Sequence, residues 1–149
     1  MNKNSENPKV GKVFEKVVKE WAELYYDCEF ESEKPVEIGN PCKPHKFDLV
    51  SKQGDIVIEC KCYTWTESGN VPSAKLATLD EAILYMRSIE YPAKKIIALS
   101  YDFCEKKNMT LAKYFCEKKG HLLKDISVWE IKDSENAILI YDGSDISKQ

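Results

Sequence analysis

The fold is decided by the stretch Gly54-Asp55-Ile56-Val57-Ile58-Glu59-Cys60-Lys61-Cys62-Tyr63, near the middle of a 149-residue chain. Its apolar run predicts a strand that is buried on at least one face. Because successive strand side chains point to opposite faces, Glu59 and Lys61 project together, while Ile58, Cys60 and Cys62 project the other way. A carboxylate and an ammonium group in a half-buried strand cost desolvation free energy unless a metal ion or a phosphate compensates. We therefore expect the function to lie on this strand.

Composition indicates a single domain, because 149 residues of which 43% are hydrophobic can bury one sizeable core. The sequence has no apolar segment long enough to span a bilayer, and its polar start does not resemble a signal peptide. We therefore expect a cytoplasmic protein with no membrane partner. The expected organisation is a flexible segment over residues 1–9, one domain over 10–142 and a tail over 143–149.

Charge is unevenly distributed, although the net value is only −3. Residues 2–19 contain five lysines and two acids, whereas residues 20–37 contain seven acids and one lysine. The acidic stretch predicts a solvated face, and the basic segment could face a polyanion, with two ordinary solvated surfaces as the open alternative. The six cysteines are expected to be reduced, several of them as small core residues.

Hydrophobic periodicity and turn residues predict the order α-β-β-β-α-β-α-β-β, an α/β fold with a mixed sheet flanked by helices. The predicted helices cover residues 10–26, 73–89 (capped by Ser73) and 110–119 (stopped by Gly120). The predicted strands are a short one in the Pro- and Gly-containing segment 35–44, then 46–51, 56–63, 95–101, 128–131 and 137–141.

Asp48 lies on the strand before Glu59, and a tight turn would bring the two carboxylates together if Lys46, Asp48 and Val50 form the polar face. Two neighbouring carboxylates resist joint ionisation unless a cation lies between them. Mg²⁺ suits this pair, because it prefers oxygen ligands and is commonly held by one or two carboxylates. Lys61 could steady an attacking water or a phosphate oxygen. Together these groups offer what phosphodiester hydrolysis needs.

The spacing Glu-x-Lys is uninformative by itself, because the chain contains it four times. The copies are Glu59/Lys61, Glu105/Lys107, Glu117/Lys119 and Glu130/Lys132. Only the first has an acid on a preceding strand, apolar flanks on both sides and a helix after it. Its context therefore distinguishes it from the other three.

The stretches His45-Lys46-Phe47-Asp48 and Ile58-Glu59-Cys60-Lys61 resemble the PD-(D/E)xK nuclease superfamily, which has the restriction-endonuclease-like fold. The resemblance extends over the element order from the first helix to the strand at residues 96–101. It implies metal ligation by Asp48, Glu59 and the backbone carbonyl of Cys60, with Lys61 as the catalytic lysine and Glu15 in support. It departs from the family at Phe47, which replaces the proline of the motif. The Gln-x-x-x-Tyr pattern of the exonuclease branch is also missing, because Glu81 stands four residues before Tyr85.

Several further residues are candidates for substrate binding. They are Lys75 early in the second helix, Lys46 and His45 before Asp48, and Trp65 and Asn70 in the loop after the motif strand. Each has an ordinary alternative: Trp65 could pack onto the domain, Lys75 could be a surface lysine, and His45 could cap a strand end. A zinc site built from Cys42, His45, Cys60 and Cys62 is a minor alternative, because structural zinc sites prefer closely paired ligands.

The sequence therefore predicts a metal-dependent DNA endonuclease that uses Mg²⁺ or Mn²⁺. The main alternative is an inactive member of the same fold that binds nucleic acid or a protein. A zinc-stabilised adaptor is a third class. Because no separate recognition domain is visible, specificity would come from loops such as 64–72, from a second subunit in a homodimer or from a protein partner.

Overall fold

The computed structural model describes residues 8–144, in which three helices and eight strands follow one another. The helices are α1 (Pro8–Tyr26), α2 (Ser73–Arg87) and α3 (Leu111–Leu123). The strands are β1 (Phe30–Ile38), β2 (Lys43–Ser51), β3 (Ile56–Lys61), β4 (Lys94–Ser100), β5 (Phe103–Cys104), β6 (Met109–Thr110), β7 (Ile126–Asp133) and β8 (Asn136–Tyr141). No helix of this part of the chain combines the length and apolar character needed to cross a membrane.

Six strands form one mixed sheet in the order β1-β2-β3-β4-β7-β8. The first three strands form an antiparallel meander. Strands β3, β4 and β7 are parallel to one another, with α2 and α3 in the crossovers, and β8 returns antiparallel to β7. The carboxyl ends of the three parallel strands therefore meet at one edge of the sheet, where ligands commonly bind in open α/β sheets.

Two apolar clusters cover the two faces of this sheet. The α1 cluster joins the helix to β3 and β7 through residues that include Phe14, Val18, Trp21, Ile58, Cys60 and Trp129. The second cluster joins α2 and α3 to the opposite face through residues that include Val57, Leu79, Ile83, Met86, Ile97 and Phe115. The sheet is thus the middle of three layers, as expected when helices cover both faces.

The predicted mixed α/β architecture and the main element order are confirmed, with a small additional hairpin formed by β5 and β6. The predicted alternation along β3 is also confirmed. Ile58 and Cys60 are buried on the α1 side, and Cys62 packs against the same cluster. All six cysteines are free, and two of them, Cys60 and Cys104, are buried.

Several predicted boundaries are wrong. The first helix begins at Pro8, so residues 8 and 9 do not belong to a flexible segment. Ser73 is the first residue of α2 and makes no capping bond with its side chain. The third helix runs through Gly120 to Leu123, because the fully buried Leu123 extends its apolar stripe and outweighs the cost of about 1 kcal/mol for a helical glycine.

The predicted C-terminal tail is wrong at its start. The backbone N–H of Gly143 donates to Ser127 Oγ at 2.9 Å, in a buried bond that ties this residue to β7. Residue 143 is therefore packed against the sheet rather than part of a tail. The remaining parts of the two predicted terminal segments, residues 1–7 and 145–149, lie outside the described residues.

Candidate metal and catalytic site

Strands β2 and β3 separate at the point where the two predicted carboxylates lie. The strands are paired at Leu49–Ile58 and at Val50–Val57. At the next pair of residues, Asp48 and Glu59, backbone groups are bonded to side chains instead of to the opposite backbone. The Asp48 N–H donates to Glu59 Oε1 at 3.1 Å, and the Cys60 N–H donates to Asp48 Oδ2 at 2.8 Å. The structure therefore brings Asp48 and Glu59 together between the two strands, as the sequence predicted.

The backbone carbonyl of Cys60 has the direction that metal ligation would need. The N–H and C=O groups of one strand residue point to the same side of the strand. Since the Cys60 N–H is bonded to Asp48, the carbonyl of Cys60 also faces β2 and the two carboxylates. The Cys60 side chain lies on the α1 side, where burial, and then the negative charge of Asp48, raise the pKa of its thiol.

Glu59 is the most perturbed acid of this site. Burial, followed by the negative charge of Asp48, raises the pKa of Glu59 to about 8, although the Asp48 N–H and the charge of Lys61 oppose the rise. A carboxyl group with such a pKa takes up a proton near neutral pH unless a cation arrives. Strongly shifted acids held by a specific charged neighbour are typical of functional sites.

Glu15 reaches the same site from α1. Its pKa is raised first by burial and second by the charge of Asp48, so the two carboxylates interact electrostatically. Lys12 Nζ lies 3.7 Å from Glu15 Oε1 and 3.7 Å from Glu33 Oε2. Glu15 therefore interacts with the charge of Asp48 from the position predicted for a supporting acid.

Sequence reasoning missed Lys12 and Glu33. The register on either side, Ser32 with Leu49 and Lys34 with Phe47, puts Glu33 opposite Asp48. Glu33 has a positive φ of 52°, which is uncommon for a residue with a side chain. The sequence does hold a signal for Glu33, because a hairpin turn at Gly39 pairs Glu33 with Asp48. The acidic composition of residues 20–37 instead predicted a solvated face for Glu33.

Lys61 and Lys75 lie around the carboxyl end of β3. Lys61 is half-buried, and its charge lowers the pKa of Glu59, so the two side chains interact as predicted from their shared face. Lys75 Nζ lies 5.8 Å from the centre of the Tyr63 ring. The Tyr63 hydroxyl is hydrogen-bonded to Thr78 Oγ1, and Ser100 Oγ donates to the Tyr63 carbonyl at 3.0 Å. These bonds fix the chain where β3 leaves the sheet.

Trp65 packs onto the domain, which is one of the two alternatives that the sequence leaves open for it, since only 4% of this residue is exposed. Its backbone N–H donates to Asp102 Oδ2 at 2.8 Å and its Nε1–H donates to the Asp102 carbonyl at 3.1 Å. Trp65 therefore anchors the loop to the segment after β4. Asn70 is exposed, and its Nδ2 donates to Ser68 Oγ within the same loop.

The polar face predicted for β2 is wrong at Val50, which is fully buried against α2 and α3. Lys46 is exposed. His45 stacks on Tyr85 of α2 with ring centres 3.9 Å apart. Because Cys60 is buried on the α1 side, the four residues of the zinc alternative do not come together. The faces of β2 do not alternate regularly, since Phe47 and Val50 join the same cluster.

The donor set fits a hard cation in chemistry, since it offers two adjacent carboxylates, a third acid nearby and a backbone carbonyl. As placed in residues 8–144, no three His, Cys, Asp or Glu side chains already form a metal-holding group. Asp48 and Glu59 instead accept backbone N–H bonds. A metal ion would therefore have to draw these carboxylates away from part of their present bonding.

Comparison with known proteins does not assign the chain to a family. No protein-family model matches the chain, and no curated protein or solved structure matches it either.

Proposed function

We propose that this protein is a metal-dependent nuclease that hydrolyses phosphodiester bonds in DNA, and that it acts as an endonuclease. One observation carries the proposal. Asp48 and Glu59 meet between two separating strands at the carboxyl end of β3, with Lys61 on the next position of the same face as Glu59. A partly buried pair of carboxylates is unfavourable as an isolated structural element, and a divalent cation would neutralise it.

The element order supports a relationship with the PD-(D/E)xK nucleases. In this chain α1, the meander β1-β2-β3, α2 and the parallel strand β4 follow one another as the resemblance implies. The helix that carries Glu15 covers one face of the sheet, and the helix that carries Lys75 covers the other. Both helices therefore reach the strands that hold the central carboxylates.

Each residue of the site has a distinct task in this proposal. Asp48, Glu59 and the Cys60 carbonyl would hold Mg²⁺ or Mn²⁺, with Glu15 in support. The bound ion would supply a Lewis acid for the scissile phosphate. Lys61 would orient the attacking water and balance negative charge that develops on the phosphate. Lys75, Lys46 and His45 remain proposed contacts to the DNA backbone.

The decisive test is cleavage of supercoiled plasmid in Mg²⁺ by three variants: Asp48→Asn, Glu59→Gln and Lys61→Ala. We expect each to lose cleavage, by about 100-fold or more for the lysine, because removing one transition-state contact typically costs this much. None should lower the melting temperature. Lys107→Ala is a matched control, because it removes the lysine of another, exposed Glu-x-Lys copy, and we expect it to retain full activity.

Full activity in the Lys61→Ala protein would contradict the mechanism. Isothermal titration with Mg²⁺ or Mn²⁺ distinguishes the alternative, an inactive module with this fold. Heat of binding that disappears in Glu59→Gln supports the metal site. No heat at millimolar metal, together with no nicking, would favour the inactive module.

A further inference from the structure

A groove of about 320 Å³ lies beside the carboxyl ends of β4 and β7, away from the paired carboxylates. Its lining includes Tyr101, which follows β4, together with Glu130 and Lys132 of β7 and Glu135 of the next turn. Its volume falls at the lower end of the range of small-molecule sites, roughly 300–1,000 Å³. A single nucleobase is therefore within the size of ligand that it can hold.

Glu130 is the unusual residue of this groove. It is 4% exposed, and its Oε2 atom has no hydrogen-bond partner among residues 8–144. A buried polar atom without a partner costs about 1–3 kcal/mol, and more when it is charged. A ligand that donates hydrogen bonds would offset this cost, whereas a ligand that presents only acceptors would add repulsion.

An exposed aromatic ring lies on the same groove. Tyr101 is 42% exposed, and Lys132 Nζ lies 5.2 Å from the centre of its ring. Aromatic rings beside a cation are a common platform for unpaired nucleic-acid bases, because the ring stacks on the base while the cation attracts the phosphate backbone.

The strand register connects this groove to the candidate active site. Lys61 pairs with Leu99, and Leu99 pairs with Glu130. Two steps of about 4.8 Å between neighbouring strands put Lys61 and Glu130 about 10 Å apart along one row of the sheet.

We propose that this groove binds an unpaired cytosine base of a single-stranded DNA segment, with Glu130 accepting from the exocyclic amine and Tyr101 stacking on the ring. The choice of ligand rests on the proposed nuclease function. Cytosine presents an N4 amine that pairs with carboxylates, whereas thymine presents an O4 acceptor at the same position. The base enters unpaired, because a recessed carboxylate does not reach the edge of a base held inside a duplex.

The test measures binding without catalysis. Fluorescence anisotropy in EDTA compares labelled oligo-dC and oligo-dT of twelve nucleotides on the full chain. We expect the wild type to bind oligo-dC more tightly by about 5- to 100-fold. Glu130→Gln retains the shape and should abolish this preference. Glu117→Gln, the same change at an exposed acid of α3 outside the groove, should leave it intact.

A second variant protects the test against misfolding of Glu130→Gln. Tyr101→Ala changes an exposed ring and should weaken binding of both oligonucleotides by about 5- to 100-fold. Equal affinity for oligo-dC and oligo-dT, or no binding of either, overturns the inference even if plasmid nicking is observed. A Glu130-dependent preference for oligo-dC without plasmid nicking would support base binding in the groove and contradict the nuclease proposal.

Discussion

Asp48 and Glu59 show how much of a site a sequence can predict at the scale of single residues. Their proximity followed from two strands and a tight turn, and the structure brings them together. At this point the backbone N–H groups donate to side-chain carboxylates instead of to the neighbouring strand. This was not predictable, because it depends on where β2 and β3 separate. Lys12 was missed for a similar reason, since its contact with Glu33 joins α1 to β1. Glu33 itself could have been found from the hairpin that pairs β1 with β2.

The raised pKa of Glu59 predicts how stability depends on pH. Its pKa in the folded protein is about 8, against an ordinary value of 4.5. The folded state therefore holds this proton more tightly than the unfolded state. Without metal, the free energy of unfolding should fall as pH rises from about 4.5 to about 8.

Thermal melting of wild type and Glu59→Gln at pH 5 and pH 8.5 checks this expectation. The glutamine cannot ionise, so the wild type should lose at least about 3 °C more than the variant, corresponding to roughly 1 kcal/mol in a domain of this size. Glu117→Gln, an exposed acid on α3, should follow the wild type. Parallel pH curves for the wild type and Glu59→Gln would contradict the assigned burial of this carboxyl group.

At the scale of elements, strong hydrophobic periodicity predicted the existence of the helices and strands better than their ends. The sequence did not decide the role of the loop that follows β3, because Trp65 could equally contact a ligand or pack onto the domain. Its partner Asp102 lies 37 residues away, a separation that local patterns do not report. The early end assigned to α3 had a different cause, since Gly120 is a helix-ending signal that tertiary packing overrides.

The end of α3 offers a test of backbone strain. Lys124, which follows the helix, has φ of 51° and ψ of −118°, a region that glycine occupies more readily than other residues. Lys124→Gly should therefore stabilise the protein by about 1 kcal/mol in urea unfolding. Lys124→Ala removes the same side chain but retains a Cβ, so we expect no comparable gain. Equal stabilisation by both variants would assign the effect to the lysine side chain instead.

At the scale of the whole molecule, the α/β class and chain order were predictable, whereas the extent of the domain was not. The sequence after Tyr141 is polar and gives no sign of packing. The structure instead holds Gly143 against β7, where a Cβ would lie under 3.0 Å from backbone atoms of Asp125 and Ile126. A backbone neighbour of this kind cannot be inferred from composition.

This packing predicts opposite effects at two glycines. Gly143→Ala should lower the free energy of unfolding by about 1–3 kcal/mol, because the added methyl group overlaps the backbone. Gly120→Ala should raise it by about 0.5–1 kcal/mol, because this position is helical and open. Urea denaturation of both variants provides the measurement. An unchanged urea midpoint for Gly143→Ala would indicate that residues 143–144 belong to an unpacked tail.

The bonds between β2 and β3 also supply a built-in reporter. Because the amides of Asp48 and Cys60 donate to carboxylates, any cation that recruits those oxygens would loosen these two protons first. Hydrogen–deuterium exchange at residues 48 and 60, followed as Mg²⁺ is added, would therefore record loading of the centre even in a protein that cleaves nothing.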